Sequence, residues 1–142
     1  MKTLFSMSWR KSGLASLALL AAITGMVAFG QAEKDAPKKL TPEELKQMID
    51  GKQKFFFLDV REPKELEETG TIKGYVNIPL GQLEARVNEI PKGVAVVSAC
   101  AHAVRAAKAA VILRKHGYTQ ISLCAMAEYK EKGYELIYPK AK

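Results

Sequence analysis

The sequence predicts an α/β fold, a parallel sheet of about five strands with helices on both faces, and three observations carry that prediction. Short apolar runs alternate with stretches of helical spacing through residues 40–138. Two of the runs, Phe55-Phe56-Phe57-Leu58 and Val94-Ala95-Val96-Val97, are apolar throughout, as strands buried on both faces are. After the second run, Arg105 to His116 carries Ala106, Ala107, Ala109, Ala110, Ile112 and Leu113 at helical spacing and stops before Gly117. That is a crossover helix of the kind that joins parallel neighbours.

The chain is 142 residues long, 48% hydrophobic and 26% charged, which suits one small domain and argues against disorder. Residues 1–30 stand outside that domain. Lys2, Arg10 and Lys11 precede an apolar block, Leu14 to Phe29, and no acidic residue occurs before Glu33. This is the layout of an export signal, with small residues at Ala28 and Gly30, or Gly30 and Ala32, for cleavage. The competing reading is an uncleaved N-terminal anchor. Residues 31–39 form a polar linker and residues 139–142 a basic tail. Without the three basic residues of the signal, 22 Lys+Arg against 15 Asp+Glu becomes an excess of about four. That excess is scattered and lacks interleaved aromatics, so no nucleic-acid partner is implied. Small anions would still be attracted.

Within the domain, Leu40 begins a short strand. Thr41-Pro42-Glu43-Glu44 supplies a cap, a proline at the first helical position and an acidic first turn. The helix that follows buries Leu45, Met48 and Ile49 and ends near Gly51. Phe55 to Leu58 is a strand, Glu62 to Glu68 a short polar helix and Tyr75 to Ile78 another strand. Gly81 to Ile90 reads as one helix with Leu83, Val87 and Ile90 on its buried face. Val94 to Val97 is the next strand, Thr119 to Leu123 the last, and Met126 to Lys132 the closing helix.

Ligands of such sheets sit beyond the carboxyl ends of the strands, where Cys100 follows Val94 to Val97 and precedes a helix. Free amides at that helix start, with Arg105 and His102, would favour a thiolate, making Cys100 a candidate nucleophile. The alternative is a buried cysteine acting as a small hydrophobe.

Taken together, Leu58-Asp59-Val60-Arg61-Glu62-Pro63, Gly70 to Leu80, Cys100 to Arg105 and Lys130 to Tyr134 resemble a single-domain rhodanese. The resemblance runs from about Leu40 to Tyr138. With the export signal ahead, the chain is similar to the periplasmic rhodaneses of the phage-shock type. The resemblance implies a rhodanese-like sulfurtransferase or sulfur carrier. Cys100 would hold a persulfide taken from a donor such as thiosulfate and pass it to cyanide, a small thiol or a thiol partner protein. Arg105 would be catalytic, and Ala101, His102, Ala103 and Val104 would form the substrate-binding loop. Asp59 and Arg61 would support that loop electrostatically, against the simpler reading of a surface ion pair. Related phosphatases have five residues between cysteine and arginine. Here there are four, a cradle that suits one sulfur atom better than a tetrahedral phosphate.

Departures from the family's pattern accompany the match. Ala103 and Ala125-Met126 stand where glycines are common, and Tyr129 where tryptophan is. Alanine at position 103 implies either a backbone that avoids positive φ or one that accepts strain. Thr71 replaces a frequent histidine and Ala101 an arginine that helps bind thiosulfate, which weakens the case for that donor. The family fold implies that Cys124 ends a strand beside the one leading to Cys100. That would place the two roughly 5 Å apart, within disulfide range. Cys124 would then be a supporting residue and the protein a thiol oxidoreductase; the alternative leaves Cys124 in the core, away from Cys100. A non-catalytic redox- or sulfide-sensing module is a further reading. His116 lies near a helix end, where it suits the dipole. No metal-ligand spacing occurs, no cofactor is expected, and membrane contact follows only from an uncleaved signal.

Overall fold

The computed structural model describes residues 36–140; the expected export signal and most of the linker lie outside them. The elements run β1 (Lys38–Lys39), α1 (Pro42–Asp50), β2 (Phe56–Asp59), α2 (Pro63–Thr69), β3 (Val76–Asn77), α3 (Leu83–Arg86), β4 (Val96–Cys100), α4 (Val104–Lys115), β5 (Ile121–Ala125) and α5 (Met126–Glu131). All five strands pair in parallel in the order β1-β5-β4-β2-β3. The expected fold class is borne out. Strand β1 falls at Lys38–Lys39, in the stretch expected to be linker, one step before Leu40. Among the described residues no helix is long and apolar enough to cross a membrane.

Local chemistry sets the first helix. The Thr41 hydroxyl accepts the Glu44 amide at 3.1 Å and the Glu44 carboxylate accepts the Thr41 amide at 2.9 Å, so two amides without helical partners are satisfied reciprocally. Pro42 occupies the first position, where no amide is needed. The expected helix from Gly81 to Ile90 is broken instead. It consists of a 3-10 turn at Leu80–Gln82, the single α turn of α3, and a 3-10 turn at Val87–Glu89. Pro91 forces Ile90 out of the helical region to φ −89°, ψ 122°. Leu83, Val87 and Ile90 are buried all the same.

Two apolar clusters flank the sheet. One packs Leu58, Val96, Leu123 and Ala125 against α3 and α4, where Ala106, Ala109, Ala110 and Leu113 face the strands. The other packs Phe57, Val97, Ala99 and Cys124 against Leu45 of α1 and Met126 and Tyr129 of α5. Alternation along each strand assigns its side chains to the two clusters in turn. The carboxyl-terminal segment is tied to the domain by a pair of backbone hydrogen bonds between Thr71 and Ile137, both 2.8 Å. Gly70 permits that closure. It adopts φ +80°, and a Cβ there would stand 3.1 Å from Leu136 and Tyr138 side-chain atoms.

Candidate active site

Strands β4 and β5 each run further than their apolar composition indicated. The central strand is Val96–Cys100, buried at every position, and β5 is Ile121–Ala125. Ser98 and Ala99 break the run of branched residues, yet strands on both sides supply the ladder partners that keep the chain extended. Cys100 is therefore the last residue of the strand rather than the first of a loop. The chain passes from β2 outward to β3 and from β4 the other way to β5, so the carboxyl ends of β2 and β4 flank the point where strand order reverses. Crevices form at such points.

At that end the Cys100 side chain, only 1% exposed, faces α4. Its Sγ accepts the Ala106 amide at 3.4 Å. Ala106 is the third residue of α4, so its amide is one of those with no partner inside the helix. The positive end of the helix dipole thus meets the sulfur. Helix α4 starts at Val104, one residue ahead of the expected start. Ala103 precedes it at φ +63°, ψ −6°. Of the two possibilities for this alanine, the backbone takes the strained one, at a cost of about 1 kcal/mol. The Ala101 carbonyl accepts the Ala127 amide at 3.0 Å, tying the loop to the first turn of α5. His102 is exposed and Val104 is 64% exposed, so both stand at the rim rather than on the sulfur.

The Arg105 guanidinium is held by Glu65 of α2. Nη1 donates to Oε2 and Nη2 to Oε1, each at 2.6 Å, with both side chains about a third exposed. The same Glu65 carboxylate accepts the Glu62 amide at 3.0 Å. The hydrogen-bonded guanidinium first, and the Glu62 amide with it, lower the Glu65 carboxyl to a pKa of about 2. The carboxylate in turn raises Arg105. Sequence spacing alone does not single out Glu65 as part of the site. Its spacing from Glu62 signals a helix cap, but nothing local announces a partner 40 positions away.

Asp59 and Arg61 form no surface pair, because they are 0% and 2% exposed. Asp59 accepts from Arg61 Nε at 2.9 Å, from Nη2 at 2.6 Å and from the Thr71 hydroxyl at 2.8 Å. Arg61 also donates to the Thr69 hydroxyl at 2.7 Å and to the Gly70 carbonyl at 2.9 Å. The Asn77 amide bridges the carbonyls of Asp59 and Arg61. This network fastens the end of β2 to the end of α2 and to β3. Thr71, noted from sequence only as a replacement, is a working member of it.

The two cysteines are both free, and they point to opposite faces of the sheet. Cys124 lies opposite Ala99 and Cys100 opposite Ala125. That one-residue offset puts Cys124 in the α1–α5 cluster and Cys100 in the α3–α4 cluster. Of the two readings of Cys124, the register agrees with the one that leaves it in the core: adjacent strands bring the backbones near but separate the side chains. Burial pushes the Cys124 thiol up to about 12, and its sulfur contacts Met126 Sδ at 3.9 Å. Its surroundings are those of a small hydrophobe. His116 caps the carboxyl end of α4 and pairs with Glu84 at 2.8 Å. Among the described residues no three His, Cys, Asp or Glu side chains gather as a metal site.

A parallel five-stranded sheet whose central strand delivers a cysteine to a helix N-terminus places the chain in the class of α/β proteins with a cysteine loop at the carboxyl end of the sheet. The chain belongs to the rhodanese-like domain family, whose model matches residues 41–126. It is 43% identical over 96 residues to the "Uncharacterized protein YqhL" of Bacillus subtilis, covering 68% of this chain and 73% of that one. It is 34% identical over 83 residues to the "Putative sulfur carrier protein YrkF" of the same organism, covering 58% of this chain but only 44% of that one. A rhodanese-related protein of Thermoplasma volcanium superposes with a TM-score of 0.64 at 27% identity, over 72% of this chain and 99% of that one. Family and relatives together support a role in sulfur transfer.

Proposed function

We propose that this protein is a sulfurtransferase or sulfur carrier that moves a sulfane sulfur through a persulfide on Cys100. One observation carries the reading: the Sγ of Cys100 accepts an amide from the first turn of α4 at 3.4 Å. A thiolate there attacks the outer sulfur of a donor such as thiosulfate. The new S–S bond forms as the donor's S–S bond breaks, and its electron pair leaves on sulfite. The outer sulfur, about 2 Å beyond Sγ, then carries the negative charge, which the helix start and the loop stabilise. A thiophilic acceptor, cyanide or a thiol on a small molecule or partner protein, attacks that outer sulfur and returns Cys100 as thiolate. The Glu65–Arg105 pair holds the carboxyl end of the loop against α2 during both steps, and the buried Asp59–Arg61 network fixes the neighbouring strand end.

The likeness to YrkF, named for sulfur carriage, supports this reading, as does the family match across the cysteine loop. Residues 1–30 add export to the proposal, with the domain acting in the periplasm, and sequencing the amino terminus of the mature protein tests it. The chemistry is tested by intact mass before and after exposure to a donor. A reductant-sensitive gain of one sulfur in the wild type, lost in Cys100→Ser, is expected. An equal gain in the variant would place the chemistry elsewhere, and no gain with any donor would leave a binding module on this fold.

A further inference from the structure

A doubly charged anion at a helix start draws on amides and, for charge balance, on a cation. The cation in the first turn of α4 is Arg105, and both ends of its fork are occupied by Glu65 at 2.6 Å. Arg61, at the end of β2, is buried and fully engaged by Asp59, Thr69 and Gly70. Within the loop Ala101, Ala103 and Val104 carry no charge, Val104 presents exposed apolar surface, and His102 stands in solvent. The one cation in the first turn of the helix that meets the sulfur is therefore neutralised by a carboxylate.

We infer that Glu65 sets the charge of the donor this site accepts: by neutralising Arg105 it favours sulfane-sulfur donors with one negative charge over dianions such as thiosulfate. The inference rests on the reading of Cys100 as the sulfur carrier. For a monoanionic thiosulfonate, R–SO2–S⁻, the Cys100 thiolate bonds to the terminal sulfur and the bond to the sulfonyl sulfur breaks. The electron pair leaves with the sulfinate R–SO2⁻, and Cys100 keeps the persulfide anion. With thiosulfate the same displacement releases sulfite, but the encounter gathers three negative charges instead of two. A free guanidinium would offset the third; a paired one does not.

The test follows sulfur gain at Cys100 by quenched intact-mass measurement with two donors, methanethiosulfonate anion and thiosulfate. Each rate is divided by that donor's rate with a small thiol in solution, which removes intrinsic reactivity. In the wild type the monoanion is expected to be favoured by on the order of tenfold. Glu65→Gln, which retains an acceptor for the Glu62 amide but releases the charge of Arg105, is expected to move the ratio toward thiosulfate by a similar factor. A ratio unchanged in Glu65→Gln while both rates fall would make Glu65 structural and overturn the inference. So would a wild-type ratio that favours thiosulfate, a reading that needs no variant to fold. No sulfur gain from either donor overturns the proposed function, and the inference with it.

Discussion

Ser98 stands two residues before Cys100 on the same face of β4, and its buried hydroxyl has no hydrogen-bond partner among the described residues. An unpaired buried hydroxyl costs about 1–3 kcal/mol of desolvation, and alanine would fill nearly the same volume. Ser98→Ala is expected to stabilise the domain by about 1 kcal/mol, read as a rise in the urea midpoint without a change in slope. A loss of stability would mean that the hydroxyl is satisfied in solution. The opposite case is Asp59, whose carboxylate answers a guanidinium taken wholly out of water. Asp59→Asn leaves that charge uncompensated and is expected to cost about 3–5 kcal/mol, measurable in the same experiment. A change under 1 kcal/mol would show that Thr69 and Gly70 alone suffice for Arg61. The sequence placed Asp59 and Arg61 at the strand end but not their burial, because burial comes from α2 and the segment around Thr71 closing over them, contacts that residue type and spacing leave open.

Between elements, the Glu65–Arg105 pair braces α2 against α4 on either side of the loop. Its carboxyl has a folded-state pKa of about 2 against an ordinary 4.5. A lowered pKa contributes stability in full above about 4.5, and that contribution is lost as pH falls through 2. Acid unfolding of the wild type should therefore steepen over that window, and Glu65→Gln should be flatter there, followed by circular dichroism across a pH series. Identical acid limbs would remove the pair from the account. Elements with local signals were legible: α1 announced itself through Thr41, Pro42 and Glu44, and all three do what the pattern implied. Strand ends were not. In strands buried on both faces polarity does not alternate, so β4 and β5 gave no sign of continuing through Ser98-Ala99-Cys100 and Cys124-Ala125. The end of the helical stretch at Ile90 had its signal in Pro91, whereas its division into 3-10 and α turns around Leu83 has none in the apolar stripe.

Across the whole molecule the sheet is a partition, and which side a cysteine occupies decides what it can do. The position of Cys100 was legible because strand, reactive residue and helix follow one another in sequence. The isolation of Cys124 depended on register, a long-range property that a one-residue slip reverses. With its thiol pushed up to about 12, Cys124 should resist alkylation by iodoacetamide at pH 8 in the folded protein and react once urea unfolds it. Labelling of folded Cys124 at the rate of a free thiol would contradict the assigned face. The central claim, that Cys100 is the sulfur-carrying residue, is met most directly by fragmentation mass spectrometry of the purified protein after methanethiosulfonate and after thiosulfate, with a reductant control. One additional sulfur, on Cys100 alone and removed by reductant or cyanide, is the expected result. Sulfur on Cys124, a Cys100–Cys124 disulfide, or an unchanged mass with both donors would contradict it.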